Sequence, residues 1–250
     1  MTTKKNNSKN VRYDKDGVPR YSAQDIEKKG EEFLTLFDEG ILEKPGPTPF
    51  GAIAKRLKEE YGIVIDFDTD LGFIKSGADK IIGKFLFKPR SILIDNSLLN
   101  DIPRFNFTFA HEIGHLVLHR KLKLKADFDP HEISDTKRDL ITGKKILRSP
   151  RDRIEWQANK FASSILLPRL TVIDAVIEKQ QEMDIRKNTG LIYLEDKYYS
   201  RRNYQSVVDS LRQVYQASKT AIEYRLKDLG ILIDRRDQNT RHISELLRSD

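Results

Sequence analysis

Apolar positions along the chain follow two periods, one helical and one extended. Ile26, Phe33, Leu34 and Phe37 fall on one face of a helix that Ser22 can cap, with Asp25 three residues on completing a capping box. Gly40 and the proline-rich stretch from Pro45 to Pro49 end it. Thr48 then caps a second helix with Pro49 at its first position; Ile53, Ala54 and Leu57 face inward and Gly62 stops the helix. After Gly62 the period changes. The runs Ile63–Phe67, Ile81–Phe87 and Ile92–Ile94 are short, apolar and bounded by turn or charged residues, and they predict a small three-stranded sheet, too small for a doubly wound fold.

Helical spacing returns over Phe105–His119 and Glu155–Leu167, the second closed by Pro168, which cannot continue a helical hydrogen-bond ladder. Residues 120–152 between them are charged and aperiodic, and read as a long surface excursion beside a site. Arg169–Met183 predicts an amphipathic helix through Leu170, Ile173, Val176 and Ile177. Residues 184–203 resemble a linker, with a short strand at Leu191–Leu194. Ser206–Tyr215 then forms a helix with Val207, Val208, Leu211 and Val214 inward. Across the break Gln216-Ala217-Ser218, Ser218 caps another helix carrying Ile222, Leu226 and Leu229 and ending at Gly230. Two short helices across a three-residue turn make a helix-turn-helix-like segment.

Composition narrows the class. Of 250 residues 38% are apolar, with 12 Phe and 9 Tyr, enough for a sizeable core. No apolar run approaches the roughly 18 residues that span a bilayer, and the charged start lacks an apolar signal segment. Cys is absent, which excludes disulfides and thiolate metal sites and fits a reducing compartment. The expectation is a soluble, cytoplasmic protein with no membrane partner. The net charge of +7 is unevenly placed: residues 1–20 carry six basic and two acidic groups, residues 186–250 carry thirteen and nine, and the middle is near neutral. Residues 1–20, almost without apolar content, read as a disordered basic tail. The basic ends allow an acidic or nucleic-acid partner, although a modest positive excess is more often plain solvation.

Four of the five His lie between positions 111 and 131, and two frame the sequence His111-Glu112-Ile113-Gly114-His115. On a helix, residues four apart share a face, so His111 and His115 can present nitrogens to one metal ion. Glu112, turned away by about 100°, can hold the water that such an ion activates. Peptide hydrolysis needs this combination, because a peptide carbonyl is a poor electrophile and neutral water a poor nucleophile. Zinc polarises the first and acidifies the second, and a carboxylate beside the water takes its proton and passes it to the leaving amine. Glu112 is therefore the expected general base and acid.

A catalytic zinc site takes three protein ligands and one open position. Without Cys, the third ligand is a His or carboxylate on another helix, and Glu155 is the best placed; the simpler alternative is a solvated carboxylate at a helix start, favoured by the helix dipole. Asn159, one turn after Glu155, can accept a hydrogen bond from the far nitrogen of a metal-binding His. His119 lies one turn beyond His115 and suits a supporting position near the site, with a fourth metal nitrogen as the alternative. His131, among Asp127, Asp129 and Glu132, is either an oxyanion donor or a solvated side chain. In the C-terminal segment Lys219, Arg225 and Lys227 are the candidates for DNA phosphates, diluted by Glu223 and Asp228.

The stretch from Arg104-Phe105 through Phe107-Thr108-Phe109-Ala110-His111-Glu112-Ile113-Gly114-His115-Leu116, then His119, and the later Glu-x-x-Ala-Asn-x-Phe-Ala run ending Leu166-Leu167-Pro168, resembles the ImmA/IrrE family of metallopeptidases. The resemblance covers about residues 22–168 and weakens toward 233. It implies a gluzincin-like zinc peptidase with Glu155 as third ligand, whose protein substrate is a helix-turn-helix transcriptional repressor controlling mobile-element, phage, anti-phage or stress-response genes. The long charged segment between the motifs departs from the family pattern.

The expected fold is α+β: a mainly helical, zincin-like metallopeptidase domain over residues 21–185 with a small three-stranded sheet, followed by a helix-turn-helix-like region over 186–250. The rival function is a DNA-binding transcriptional regulator in which the metal site is structural or sensory. A metal shell closed by His119 would favour that rival.

Overall fold

A computed structural model of the chain describes residues 11–74, 79–120, 122 and 149–236, together with the backbone of 132–136. Helix α1 (Ala23–Phe37) begins at the expected capping box, where the Ser22 hydroxyl accepts from the Asp25 amide and the Asp25 carboxylate accepts from the Ser22 amide. Helix α2 (Phe50–Tyr61) starts one residue later than expected and has no side-chain cap; Gly62, in the left-handed region at φ 61°, closes it. Thr48 is not a cap. Its hydroxyl instead donates to the Ile165 carbonyl at 2.6 Å, tying the segment before α2 to a distant helix.

Strands β1 (Val64–Asp66), β2 (Ile81–Phe87) and β3 (Arg90–Ile94) fall on the three expected runs. β1 runs parallel to β3, while β2 is antiparallel to it with Phe85 opposite Ile92. A fourth strand, β4 (Glu132–Thr136), comes from the charged excursion and joins β2 antiparallel, giving the order β1-β3-β2-β4. Its ladder contacts lie 46 or more positions from β2, so local periodicity carried no trace of them.

Helix α3 (Ile102–Leu118) starts three residues before the expected point, where the Asp101 side chain accepts from the Arg104 amide and Pro103 fits the first turn. It is buried almost all round from Thr108 to Leu116 because β2 and β3 cover one side and helix α4 (Pro150–Leu166) the other. Phe109 is fully buried, edge-on to Phe50 and Phe67. Helix α4 begins five residues earlier than expected, at a Ser149–Asp152 capping box with Pro150 in its first turn. Glu155 therefore stands in the second turn and is 4% exposed, not the solvated helix-start carboxylate of the alternative reading.

Helix α5 (Arg169–Glu182) buries Thr171, Val172, Ala175, Val176 and Gln180, a face rotated from the expected one, with Leu170 left 61% exposed. Strand β5 (Ile192–Leu194) pairs in parallel with β6 (Leu232–Asp234), framing helices α6 (Tyr198–Tyr215) and α7 (Lys219–Asp228). Residues on both sides of the expected boundary at 185/186 share one apolar core, from Ile26 and Phe161 to Val208 and Leu226. The fold is α+β, mainly helical with a small mixed sheet.

The expected disordered tail needs correction from residue 11 onward. Val18 is completely buried against Ile154, and Arg153 pairs with Asp14 and Asp16 at 2.9 and 2.5 Å. One apolar side chain and two carboxylates in a segment of low mean hydropathy suffice because α4 supplies matching partners. Residues 1–10 lie outside the described part.

Candidate active site

Helices α3 and α4 together bring the sequence motifs into one place. The Nε2 atoms of His111 and His115 stand 2.9 Å apart on one face of α3. The Glu155 Oε2 atom approaches them from α4, 3.2 Å from His111 Nε2 and 3.8 Å from His115 Nε2. All three residues are buried, and their ligand atoms lie within 4.8 Å of one another. Two imidazole nitrogens and one carboxylate oxygen converging in the interior fit a divalent metal with a preference for nitrogen and oxygen donors.

Close helix contact makes this convergence possible. A methyl group on Gly114 would stand 3.1 Å from both the Cα and the carbonyl oxygen of Ala158, tight enough that the α4 backbone would have to give by a few tenths of an ångström. The glycine inside the His-Glu-x-x-His motif thus lets the α4 backbone approach until Glu155 reaches the His pair. Glu112 is fully buried on the side of α3 that faces β2. There Gly83 leaves the room it occupies: a side chain at position 83 would overlap the Glu112 carboxylate and press on the Thr108 methyl at 2.9 Å.

The ligand rings are held from behind. His111 Nδ1 lies 2.9 Å from Asn159 Oδ1; an amide oxygen only accepts, so Nδ1 carries the hydrogen and Nε2 keeps its lone pair for a metal. Asn159 thus lies against the His111 ring nitrogen that faces away from His115. His119 follows the last turn of α3 and is also buried; its Nδ1 is 2.9 Å from His115 Nδ1, on the side of that ring away from the ligand atoms. His119 Nδ1 thus meets the rear of the His115 ring and not the side where the ligand atoms converge. The Phe85 ring of β2 lies nearly parallel to His115, at 18° with centroids 6.5 Å apart.

Two supporting residues escaped the sequence reading. Gln157, 4% exposed, bonds His119 on one side and the Pro19 carbonyl on the other. Its only signal was a polar residue inside the apolar run that packs α4 on α3. Gly83 carried no signal, because a glycine in a strand pattern does not reveal what stands opposite. His131 lies outside the described residues.

The C-terminal candidates separate. Lys219 and Lys227 are exposed on α7, Lys219 near Glu223 and Gln205. Arg225 requires correction: it is 1% exposed, its guanidinium paired with both Glu27 carboxylate oxygens, and its Nε donates to the Leu167 carbonyl at 2.8 Å. A fork so committed is a joint between α7, α1 and the end of α4, and has nothing left for phosphates.

The buried cluster of His111, His115 and Glu155, with Glu112 on the same helix, suits a metallo-endopeptidase, the class that the family match defines. The family model for the IrrE N-terminal-like domain, of the M78 peptidases, matches residues 66–227, and the chain belongs to that family. No curated protein matches the chain. The match runs from β1 through α7, so the C-terminal helices up to residue 227 are included in the family unit. Among the described residues no helix is long and apolar enough to cross a membrane.

Proposed function

We propose that the protein is a zinc-dependent endopeptidase of the cytoplasm that cleaves a helix-turn-helix transcriptional repressor and so releases mobile-element, phage, anti-phage or stress-response genes from repression. The observation that carries the enzymatic part is the meeting of His111, His115 and Glu155 around one point with Glu112 one residue along the same helix. Zinc held by those three side chains supplies Lewis acidity to the scissile carbonyl and to the attacking water.

The chain's own residues do the rest. Glu112 accepts the proton of the attacking water and delivers it to the departing amine nitrogen. Asn159 keeps the His111 ring in the orientation and tautomer that leave Nε2 available. The covering strand β2 and the apolar packing around α3 keep the carboxylate away from bulk water, where its charge would be screened and its proton transfer less well directed.

The position of His119 argues against the rival, a DNA-binding regulator with a closed structural or sensory metal shell, because its ring meets the rear of His115 and leaves the shell at three protein ligands. Any nucleic-acid contact by the C-terminal helices falls to Lys219 and Lys227.

The test is metal analysis of the wild type and Glu112→Gln, followed by incubation of each with a helix-turn-helix repressor as candidate substrate. Both proteins should hold about one zinc per chain. The wild type should cut the repressor at a single bond, and the variant should lose on the order of 10²- to 10⁴-fold in rate. A variant that cleaves at the wild-type rate sinks the assignment of Glu112.

A further inference from the structure

A line of hydrogen bonds leaves the rear of His115 and ends on the N-terminal segment, and with neutral imidazoles its direction follows from the Pro19 carbonyl. The Gln157 Nε2 atom lies 2.6 Å from the Pro19 carbonyl oxygen. A carbonyl only accepts, so the amide NH₂ must face it, and Gln157 Oε1 is thereby turned toward His119 Nε2 at 2.9 Å. That oxygen also only accepts, so His119 Nε2 carries the hydrogen. A neutral imidazole has one N–H, which leaves His119 Nδ1 as an acceptor. Its neighbour at 2.9 Å is His115 Nδ1, which must then donate, and the lone pair of neutral His115 falls on Nε2. This is the atom that meets His111 Nε2 and Glu155.

The far end of the line is anchored. Asp14 accepts from the amides of Asp16 and Val18 at 2.9 and 3.0 Å, which folds residues 14–18 into a tight turn. Tyr13 and Pro19 pair as an antiparallel bridge, Val18 is buried against Ile154, and Arg153 binds both Asp14 and Asp16. Ile154, Arg153 and Gln157 all belong to the two turns of α4 around Glu155. The same clamp that seats the turn therefore sets the height of the Pro19 carbonyl over Gln157.

We infer that Gln157 and His119 are positioning residues that set the tautomer of His115, and that the turn formed by residues 13–19 is the fixed acceptor from which that setting runs. The inference rests on the reading of His111, His115 and Glu155 as the metal-holding set. It makes the N-terminal segment part of the metal centre, although it contributes no ligand. A carboxylate behind His115 would fix the same tautomer but add a negative charge, which the Gln157 amide and the Pro19 carbonyl do not bring.

The experiment uses the full-length protein with ¹⁵N-labelled histidine. Ring-nitrogen shifts of His115 are read by NMR in the metal-free state, and zinc affinity is measured by chelator competition. Wild type should show His115 protonated at Nδ1. Gln157→Leu removes both ends of the link and should give a mixture of tautomers with a roughly 10- to 100-fold loss of zinc affinity. Gln157→Glu keeps an acceptor toward His119 but loses the amide that meets the Pro19 carbonyl, and should not restore the wild-type ring signature. Arg153→Ala, which unseats the turn, should shift the signals in the same direction as Gln157→Leu and add little on top of it. If Gln157→Leu does not fold, His119→Phe carries the same readout. Wild-type shifts and wild-type zinc affinity in the leucine or phenylalanine variant would overturn the inference. The tautomer is read without metal or substrate, so a zinc-loaded wild type that cleaves nothing counts against the peptidase reading alone.

Discussion

Gly114 and Ala158 bring the backbones of α3 and α4 into direct contact, so close that a methyl group on the glycine would stand 3.1 Å from the alanine Cα. The two residues occupy the middle of the two motifs, one turn or less from His115 and Glu155. Their contact sets the distance across which Glu155 reaches the histidines. Gly114→Ala should force the helices apart, costing about 1–3 kcal/mol in overpacking and weakening the metal position more than the fold. Thermal unfolding and zinc stoichiometry on the same preparation check this; full zinc occupancy with unchanged Tm would contradict it.

Gly83 faces Glu112 from β2, and no other residue type leaves room for the carboxylate. Gly83→Ala should displace Glu112 while sparing His111, His115 and Glu155. The expected result is zinc binding near wild type with cleavage reduced on the order of 100-fold, the effect of moving a reacting group by about an ångström. Parallel measurement of metal content and kcat/KM separates this from general unfolding, which would lower both.

Arg225 closes the joint between α7 and the body of the protein through Glu27 and the Leu167 carbonyl. Arg225→Ala leaves a buried carbonyl and a half-buried carboxylate without their partner and should cost about 3–5 kcal/mol. Arg225→Lys should recover little of it, because an ammonium group cannot reproduce the guanidinium fork. Denaturant titration measures both. A stability loss below about 1 kcal/mol for the alanine variant would show that the joint matters little.

Asp95, at the end of β3, carries a stability signal that depends on pH. Burial by itself would raise its carboxyl, but hydrogen bonds from Ser97, from the Leu71 amide at 2.8 Å and from Lys80 at 2.9 Å outweigh it and hold the group at about 2, below the ordinary 3.8. A carboxyl with a lowered native pKa stabilises the fold above its unfolded value and loses that contribution as pH falls through the native one. Stability should therefore drop by about 2 kcal/mol between pH 4 and pH 2 from this group. In Asp95→Asn the protein should be less stable at neutral pH and show a shallower decline over that interval. An acid-unfolding profile identical to wild type would refute the assignment.

Much of the site was legible from spacing. His111, Glu112 and His115 depend only on helical geometry, and Asn159 on being one turn from Glu155, so local periodicity sufficed to place them on the correct faces. Glu155, the proposed third ligand, was harder, because a carboxylate near a predicted helix start has an ordinary explanation. That explanation failed when Ser149 and Asp152 began the helix earlier and put Glu155 inside it. Arg225 misled for a related reason: a basic residue on a short helix reads as solvated unless its partners, here Glu27 and Leu167, are known.

The sequence by itself determined the capping box at Ser22, three of the four strands of the main sheet, the helical motif pair and the absence of thiolate chemistry, all of which are set by interactions within a few residues. Tertiary structure alone decided the rest. Thr48 turned from a cap into a tie to Ile165, β4 joined the sheet from the charged excursion, and the supposed tail became a turn seated on α4. Each of these depends on a partner tens or more than a hundred positions away, and only folding brings such partners within the few ångströms over which hydrogen bonds, ion pairs and packing act.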